Sequence, residues 1–131
     1  MAFRASLSMA GKEYDVLNCT FELSRDTDGK GRPASGVYGG RVTFEIESTE
    51  DTSIIEAMVN SQFKPFEGSV IFKKTDEDAK MKELTFNQAY VVYYKEGLDV
   101  TGEVPMMIRF TVSAEELTLG DAAHDNRWPK T

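Results

Sequence analysis

Apolar and polar residues alternate along most of this chain. Phe3, Ala5, Leu7 and Met9 fall on one side and Arg4, Ser6 and Ser8 on the other, the period-two pattern of a strand with one buried face. Ala10-Gly11-Lys12 reads as the turn out of it. Leu17, Cys19, Phe21 and Leu23 repeat the pattern against Asn18, Thr20, Glu22 and Ser24, whereas Tyr14 and Val16 sit in the opposite phase. A β-bulge near Val16 reconciles the two halves, and the two strands are expected to form a hairpin. Val42, Phe44 and Ile46 alternate with Thr43, Glu45 and Glu47 in a third strand. Ser69 to Lys73 is a fourth, followed by a charged connection from Thr75 to Lys80. Leu84 to Tyr94 begins in alternation and becomes apolar on both faces from Ala89 onward. Such a strand is sandwiched between layers or presents one face to another subunit. Val104 to Ser113 is a further strand with Ile108, Phe110 and Val112 inward, and Leu117 and Leu119 extend or follow it.

One segment has helical spacing. Ser53-Ile54-Ile55-Glu56 fits a capping box, with Asp51 or Thr52 as alternative caps, and Ile54, Ile55, Met58 and Val59 form one apolar face. A helix over residues 52–61 is too short to stand alone and must dock on a sheet. With six or seven strands and no βαβ alternation, the expected fold is mainly β. It is an antiparallel two-sheet β-barrel or sandwich with one short α-helix packed against it and a long extended loop.

That loop is Arg25 to Gly40. It carries five of the chain's ten glycines and lies between two predicted strands. Connections inside domains usually run to about four to six residues, and much longer ones tend to be functional or disordered. The composition has no apolar periodicity to bury, so the loop is expected to protrude as an arm. In the C-terminal tail, residues 121–131, the stretch His124 to Pro129 is polar apart from Trp128.

At 131 residues, 40% of them apolar and 28% charged, the chain suits a single globular domain, residues 1–131, able to bury one core without staples. The 22 acids and 15 bases give a formal charge of −7. A nucleic-acid binder would normally carry a basic excess, and none is present. Cys19 is the single cysteine, so no internal disulfide forms; its phase predicts a small buried hydrophobe. The N-terminus alternates instead of running apolar like a signal peptide, and no stretch approaches the roughly 18 apolar residues of a membrane span. Assembly in the cytoplasm without a signal peptide is expected, with no direct membrane insertion.

Candidate chemistry is sparse. Asp26-Thr27-Asp28-Gly29 resembles the start of a calcium loop, but its twelfth position is Val37 where a bidentate glutamate is needed. Gly29-Lys30-Gly31 lacks the strand-to-helix setting of a phosphate cradle. His124, the one histidine, has no second imidazole for metal binding and no Gly-x-Ser-x-Gly elbow to serve. Glu45 with Glu47, and Glu115 with Glu116, read as solvated surface. No enzyme activity, cofactor or metal is expected.

A set of short motifs carries a family resemblance nearly end to end. Gly11-Lys12-Glu13-Tyr14 is followed by Val16-Leu17, Thr27-Asp28 by Gly31-Arg32-Pro33, and Gly39-Gly40 precedes the third strand. Glu47-Ser48-Thr49 and Asp51-Thr52-Ser53 lead into the helix, which ends in Met58-Val59-Asn60-Ser61. Asp78-Ala79-Lys80, Lys82-Glu83-Leu84, Tyr93, Lys95-Glu96, Thr101-Gly102-Glu103 with Pro105, and finally His124, Asn126 and Trp128-Pro129 complete the order. In order and spacing these resemble the type VI secretion system tube protein TssD, the Hcp family, in its Bacteroidetes-type branch; Asp125 and Arg127 depart from that branch's tail pattern. The resemblance implies a structural subunit that forms homohexameric rings. These stack into a hollow tube driven by a contractile sheath, tipped by a spike protein and able to carry effector proteins in its lumen. Within that reading the sequence itself offers candidate contact residues. Asp26, Asp28, Lys30, Arg32, Pro33, Tyr38 and Arg41 would make ring or stacking contacts through the arm. Val91, Val92, Tyr93 and Tyr94 would form a subunit-interface strand, and His124 and Trp128 tail contacts. Two other readings stay open: a tail-tube protein of a phage or extracellular contractile injection particle, and a monomeric β-barrel binding a small ligand.

Overall fold

A computed structural model describes residues 3–9, 11–60, 62–74, 80–103 and 105–128. Seven strands and one helix follow in the order β1 (Phe3–Met9), β2 (Lys12–Phe21), β3 (Arg41–Glu47), α1 (Ser53–Val59), β4 (Phe66–Lys74), β5 (Lys80–Leu98), β6 (Met106–Leu119) and β7 (Ala122–Asp125). The strands form one antiparallel sheet in the order β3-β2-β1-β4-β5-β6-β7, and β3 also pairs with β6. That pairing closes six strands into a barrel, with β7 appended to the far end of β6. Closure resolves the choice between barrel and sandwich and leaves β3 no free edge along Arg41–Glu47.

Alternating residues fill the barrel. Leu7, Val42, Phe44, Val70, Leu84, Phe86, Phe110 and Val112 are fully buried, and Phe44 packs between Phe110 at 5.2 Å and Phe86 at 6.3 Å, with Phe66 edge-on to Phe86 at 6.2 Å. These rings occupy the interior that a ligand-holding barrel would leave open.

The bulge near Val16 is real: the β2–β3 register shifts between Val16 and Asn18. It places Tyr14, Val16, Cys19 and Phe21 against the core, while Leu17 sits in the bulge and is half exposed, not inward. Cys19 is half-buried, and burial pushes its thiol up to about 11. The helix docks on β5 through Ile54, Ala57 and Met58; Ile55 and Val59 face outward. Its start differs from a Ser53–Glu56 capping box. Thr52 is the N-cap and its hydroxyl bonds Glu56, whereas Ser53 donates its hydroxyl (2.6 Å) and its amide (3.3 Å) to the Asp51 carboxylate. Tyr14 also donates to Asp51 at 2.5 Å. The Ser53 and Tyr14 hydroxyls hold the Asp51 carboxyl below its ordinary range, and burial with Asp51 as acceptor raises the Tyr14 phenol.

The later strands run longer than their apolar cores predict. β4 starts at Phe66, β5 extends to Leu98, and Leu117 and Leu119 belong to β6. β7 was not legible in the polar tail. Within the predicted connection Thr75 to Lys80, only Lys80 lies among the described residues, as do neither Ser61 at the helix end nor Val104.

Candidate functional site

The arm is an ordered ribbon. Ser24 and Tyr38 exchange backbone bonds of 2.9 and 2.7 Å at its base, Ala34 donates to Asp26 at 2.8 Å, and Thr27 bridges Pro33. Its tip turns on Asp28, whose Oδ1 accepts the amides of Lys30 (2.9 Å) and Arg32 (3.0 Å). Gly31 supplies the left-handed residue there at φ +86°. The Arg25 guanidinium donates twice to the Ser35 carbonyl, at 3.1 and 3.0 Å, and the Tyr38 hydroxyl to Asp26 at 2.9 Å. The oxygen that suggested a cation loop therefore serves the arm's own backbone. Every arm residue from Arg25 to Ala34 is exposed.

The root of the arm is clamped by the C-terminal segment. Asn126 donates from Nδ2 to the Gly39 carbonyl (2.9 Å) and the Ala114 carbonyl (3.1 Å), and its Oδ1 lies 2.8 Å from His124 Nε2. Ala114 in turn donates to the Gly40 carbonyl at 2.7 Å. Gly40 has φ +106°, and a Cβ there would lie 2.6 Å from the Ala114 carbonyl oxygen. Trp128 bonds Glu115 through its amide (2.9 Å), and its ring packs at a tilt against Tyr90 with centroids 6.0 Å apart.

Three outward surfaces complete the picture. On the barrel flank, Val92 and Tyr93 are exposed beside Arg41, Lys95 and Arg109, forming an open basic groove. Arg109 lies 3.5 Å from Glu45, while among the described residues no acid pairs with Arg41, Lys30 or Arg32. At the arm end, Leu23, Val37, Leu117, Leu119 and Ala123 line an apolar pocket of about 240 Å³. At the other end of the β5–β6 ladder, the turn after Leu98 is pinned by Asp99, which accepts the Thr101 amide (3.0 Å) and hydroxyl (2.7 Å). These bonds hold the Asp99 carboxyl below its usual range.

The structure brings Asp26, Asp28, Lys30, Arg32, Pro33 and Tyr38 together on the arm, with Arg41 just beyond its root. It divides the proposed interface strand. A register shift between Val91 and Tyr93 makes Val92 a bulge residue, so Val92 and Tyr93 face out. Val91 is 7% exposed and belongs to the core, and Tyr94 packs against the core with its hydroxyl on Glu96 at 3.1 Å. Burial and that bond push the Tyr94 phenol up to about 12. His124 and Trp128 are tied within the chain. The roles of Gly40, Val37 and the clamp made by Asn126 escaped sequence reasoning, and Leu23, read as part of the inward face of the second strand, lies beyond β2 and is half exposed; the paired glycines Gly39-Gly40 before a strand were the one available signal. Among the described residues no group of His, Cys, Asp or Glu is placed to hold a metal ion, and no helix is long and apolar enough to cross a membrane.

Comparison with known proteins completes the description. The sequence model of the family described as Hemolysin coregulated protein Hcp (TssD) matches residues 1–129. The solved structure of Hcp1 from Flavobacterium johnsoniae is similar at 43% identity and a TM-score of 0.90, covering 94% of this chain and 99% of that one. Hcp1 from Salmonella typhimurium shares the fold at 13% identity and a TM-score of 0.77, with 95% of each chain covered. The sheath/tube terminator of an extracellular contractile injection system, PVC, shares it at 14% identity and 0.64, over 88% of this chain and 92% of that one. No curated protein sequence matches.

Proposed function

The chain belongs to the Hcp (TssD) family, the tube proteins of the type VI secretion system, and from that membership we propose that it works as a non-enzymatic wall subunit whose task is self-assembly. Members of the family form stacked rings and are exported by that system. In our reading six copies close a ring in the cytoplasm, rings stack into a tube, and a surrounding sheath expels the tube with a spike at its tip and effectors in its lumen.

The observation that carries the reading is the arm, an exposed ribbon held in one shape by its own hydrogen bonds. Ordering a protrusion before it meets a partner lowers the entropy lost on association. Asp26, Asp28, Lys30, Arg32, Pro33 and Tyr38 are positioned to reach a neighbour, and Arg41 with Val92 and Tyr93 offers that neighbour a flank. On a protein of charge −7, Lys30, Arg32 and Arg41, which pair with no acid among the described residues, fit acids of an adjacent copy.

The test is assembly. Purified protein is expected to give annular particles by negative-stain electron microscopy, and a strict monomer at high concentration contradicts the proposal. Removing residues 27–38 should leave the barrel folded by circular dichroism but abolish or weaken rings or tubes. If the shortened chain assembles like the intact one, the arm is not the gripping element.

A further inference from the structure

The bonds that give the arm its shape do not give it a direction. Asp28 turns the tip, Arg25 holds Ser35 and Tyr38 holds Asp26, and each of these runs from one arm residue to another. What aims the ribbon is its root. The chain leaves β2 after Phe21 and re-enters the sheet at Arg41 through Gly39-Gly40, two residues of the type with the widest choice of φ and ψ. Left to itself such a pair is a pivot. Here both Cβ positions are already taken: one at Gly39 would run into the Leu23 side chain, and one at Gly40 into the Ala114 carbonyl and the Asn126 amide. The paired glycines and the tail residues His124 and Asn126 are thus parts of a single joint.

The hydrogen-bond chemistry of that joint has one solution. Carbonyl oxygens only accept, so the Asn126 side chain turns its NH2 toward Gly39 and Ala114, at 2.9 and 3.1 Å. One hydrogen goes to the arm root and the other to β6. Its Oδ1 then faces His124 Nε2 at 2.8 Å, and since that oxygen also only accepts, Nε2 carries the hydrogen. Both the neutral ring protonated on Nε2 and the imidazolium supply it. Without that donor, nothing prevents the Asn126 amide from making a half turn that sets its oxygen against the two carbonyls. Backbone bonds hold the pair in place: β7 sets His124 opposite Leu117, and the Asn126 backbone amide donates to the Glu115 carbonyl at 2.8 Å. Beyond them Arg127 turns the chain at φ +53°, and Trp128 is moored to Glu115 and Tyr90.

We propose that residues 124–128 form a strap that sets the direction of the arm, and that His124 is its positioning residue, acting through Asn126. The use of the strap rests on the assembly reading above, because an arm aimed before contact loses less entropy on meeting a second copy. The strap itself is a device within one chain. With the Asn126 amide turned, Gly39 and Gly40 pivot, and the arm samples other directions while its internal bonds keep its shape.

Spin labels on the intact protein test it. The exposed Lys30 at the arm tip and Glu67 on β4 are changed to cysteine and labelled in a Cys19→Ser background. Excess unlabelled protein is added, so that pulsed electron resonance reads only the distance within one chain. A single narrow peak is expected for this parent. His124→Leu keeps an apolar side chain against the pocket wall but cannot donate, and should raise the population outside the peak about fivefold, the worth of one neutral hydrogen bond. His124→Gln places a donating Nε2 where the imidazole had one, and should restore the narrow peak. Circular dichroism is expected to show a folded barrel in both. A narrow peak in His124→Leu overturns the strap, since packing alone would then aim the arm. A peak as broad in His124→Gln as in His124→Leu overturns the positioning role. Native mass spectrometry of the unlabelled protein decides the tube reading separately: a chain that stays monomeric refutes that reading, and the label distances still decide the strap.

Discussion

Replacing Gly40 by alanine probes the point where the arm is joined to the barrel. Its φ of +106° lies where a side chain is strained, and the added Cβ would stand 2.6 Å from the Ala114 carbonyl oxygen and 2.5 Å from Asn126 Nδ2. The amide can swing away, but the carbonyl belongs to β6 and cannot move without disturbing its ladder to β5, where Ala114 faces Ala89. Backbone strain of this kind costs about 1–3 kcal/mol. Relief by rotating residue 40 would give up the 2.7 Å bond from the Ala114 amide to the Gly40 carbonyl, a further ~1 kcal/mol. A loss of roughly 3 kcal/mol is expected, which for a domain of this size is a drop in Tm of about 10 °C. Urea and thermal unfolding at matched protein concentration measure it, since assembly also shifts apparent stability. Gly36→Ala is the control: nothing lies within 4 Å of its added Cβ, and it should stay within about 0.5 kcal/mol of the parent. Gly40→Ala at parental stability would refute the clamp geometry. A double-mutant cycle with Asn126→Ala should show coupling, because removing the amide removes one of the two collisions.

Asn126→Ala alone takes away the donor to the Gly39 and Ala114 carbonyls and should cost about 1–3 kcal/mol, with faster amide exchange at the arm root by NMR. Phe44→Ala empties the centre of the aromatic stack and should cost about 3–5 kcal/mol, read as a lower urea midpoint. Stability should fall on the alkaline side. Tyr14, Tyr94 and Cys19 all have folded-state pKa values above their ordinary ones, so above about pH 9–10 the unfolded chain releases protons that the folded chain retains. The urea midpoint should drop between pH 8 and pH 10.5, and Tyr94→Phe should make that drop shallower; an unchanged slope would count against the burial of that phenol. Arg32→Glu and Arg41→Glu should each weaken assembly, more at low salt than at high, by light scattering. Equal assembly at both salts would dispose of a charged contact.

Much of the barrel is written in local pattern. A strand places successive side chains on opposite faces, so Val42, Phe44 and Ile46 announce a half-buried strand without reference to any partner. The bulge near Val16 could be read for the same reason, as a break of phase between Tyr14 and Cys19. The arm was legible because its glycines and charges have no period to bury. The family followed from the order of many short motifs, none decisive alone. What period two does not encode is which strand lies beside which. Only the folded chain brings Thr43 onto Thr111, 3.0 Å apart across 68 residues, and closes the barrel there. Only it turns a polar tail into β7 and carries Asn126 to Gly39 across 87 residues. The same holds for faces. The doubly apolar run at Val91 to Tyr94 looked like one surface, but the bulge at Val92 rotates its halves apart, sending Val91 into the core and Tyr93 to the flank. Burial is decided by what packs opposite a residue, and that is a property of the assembled sheet. Local alternation determined that the six barrel strands would exist; pairing across the chain decided where the arm is anchored and which side chains remain outside to meet another copy.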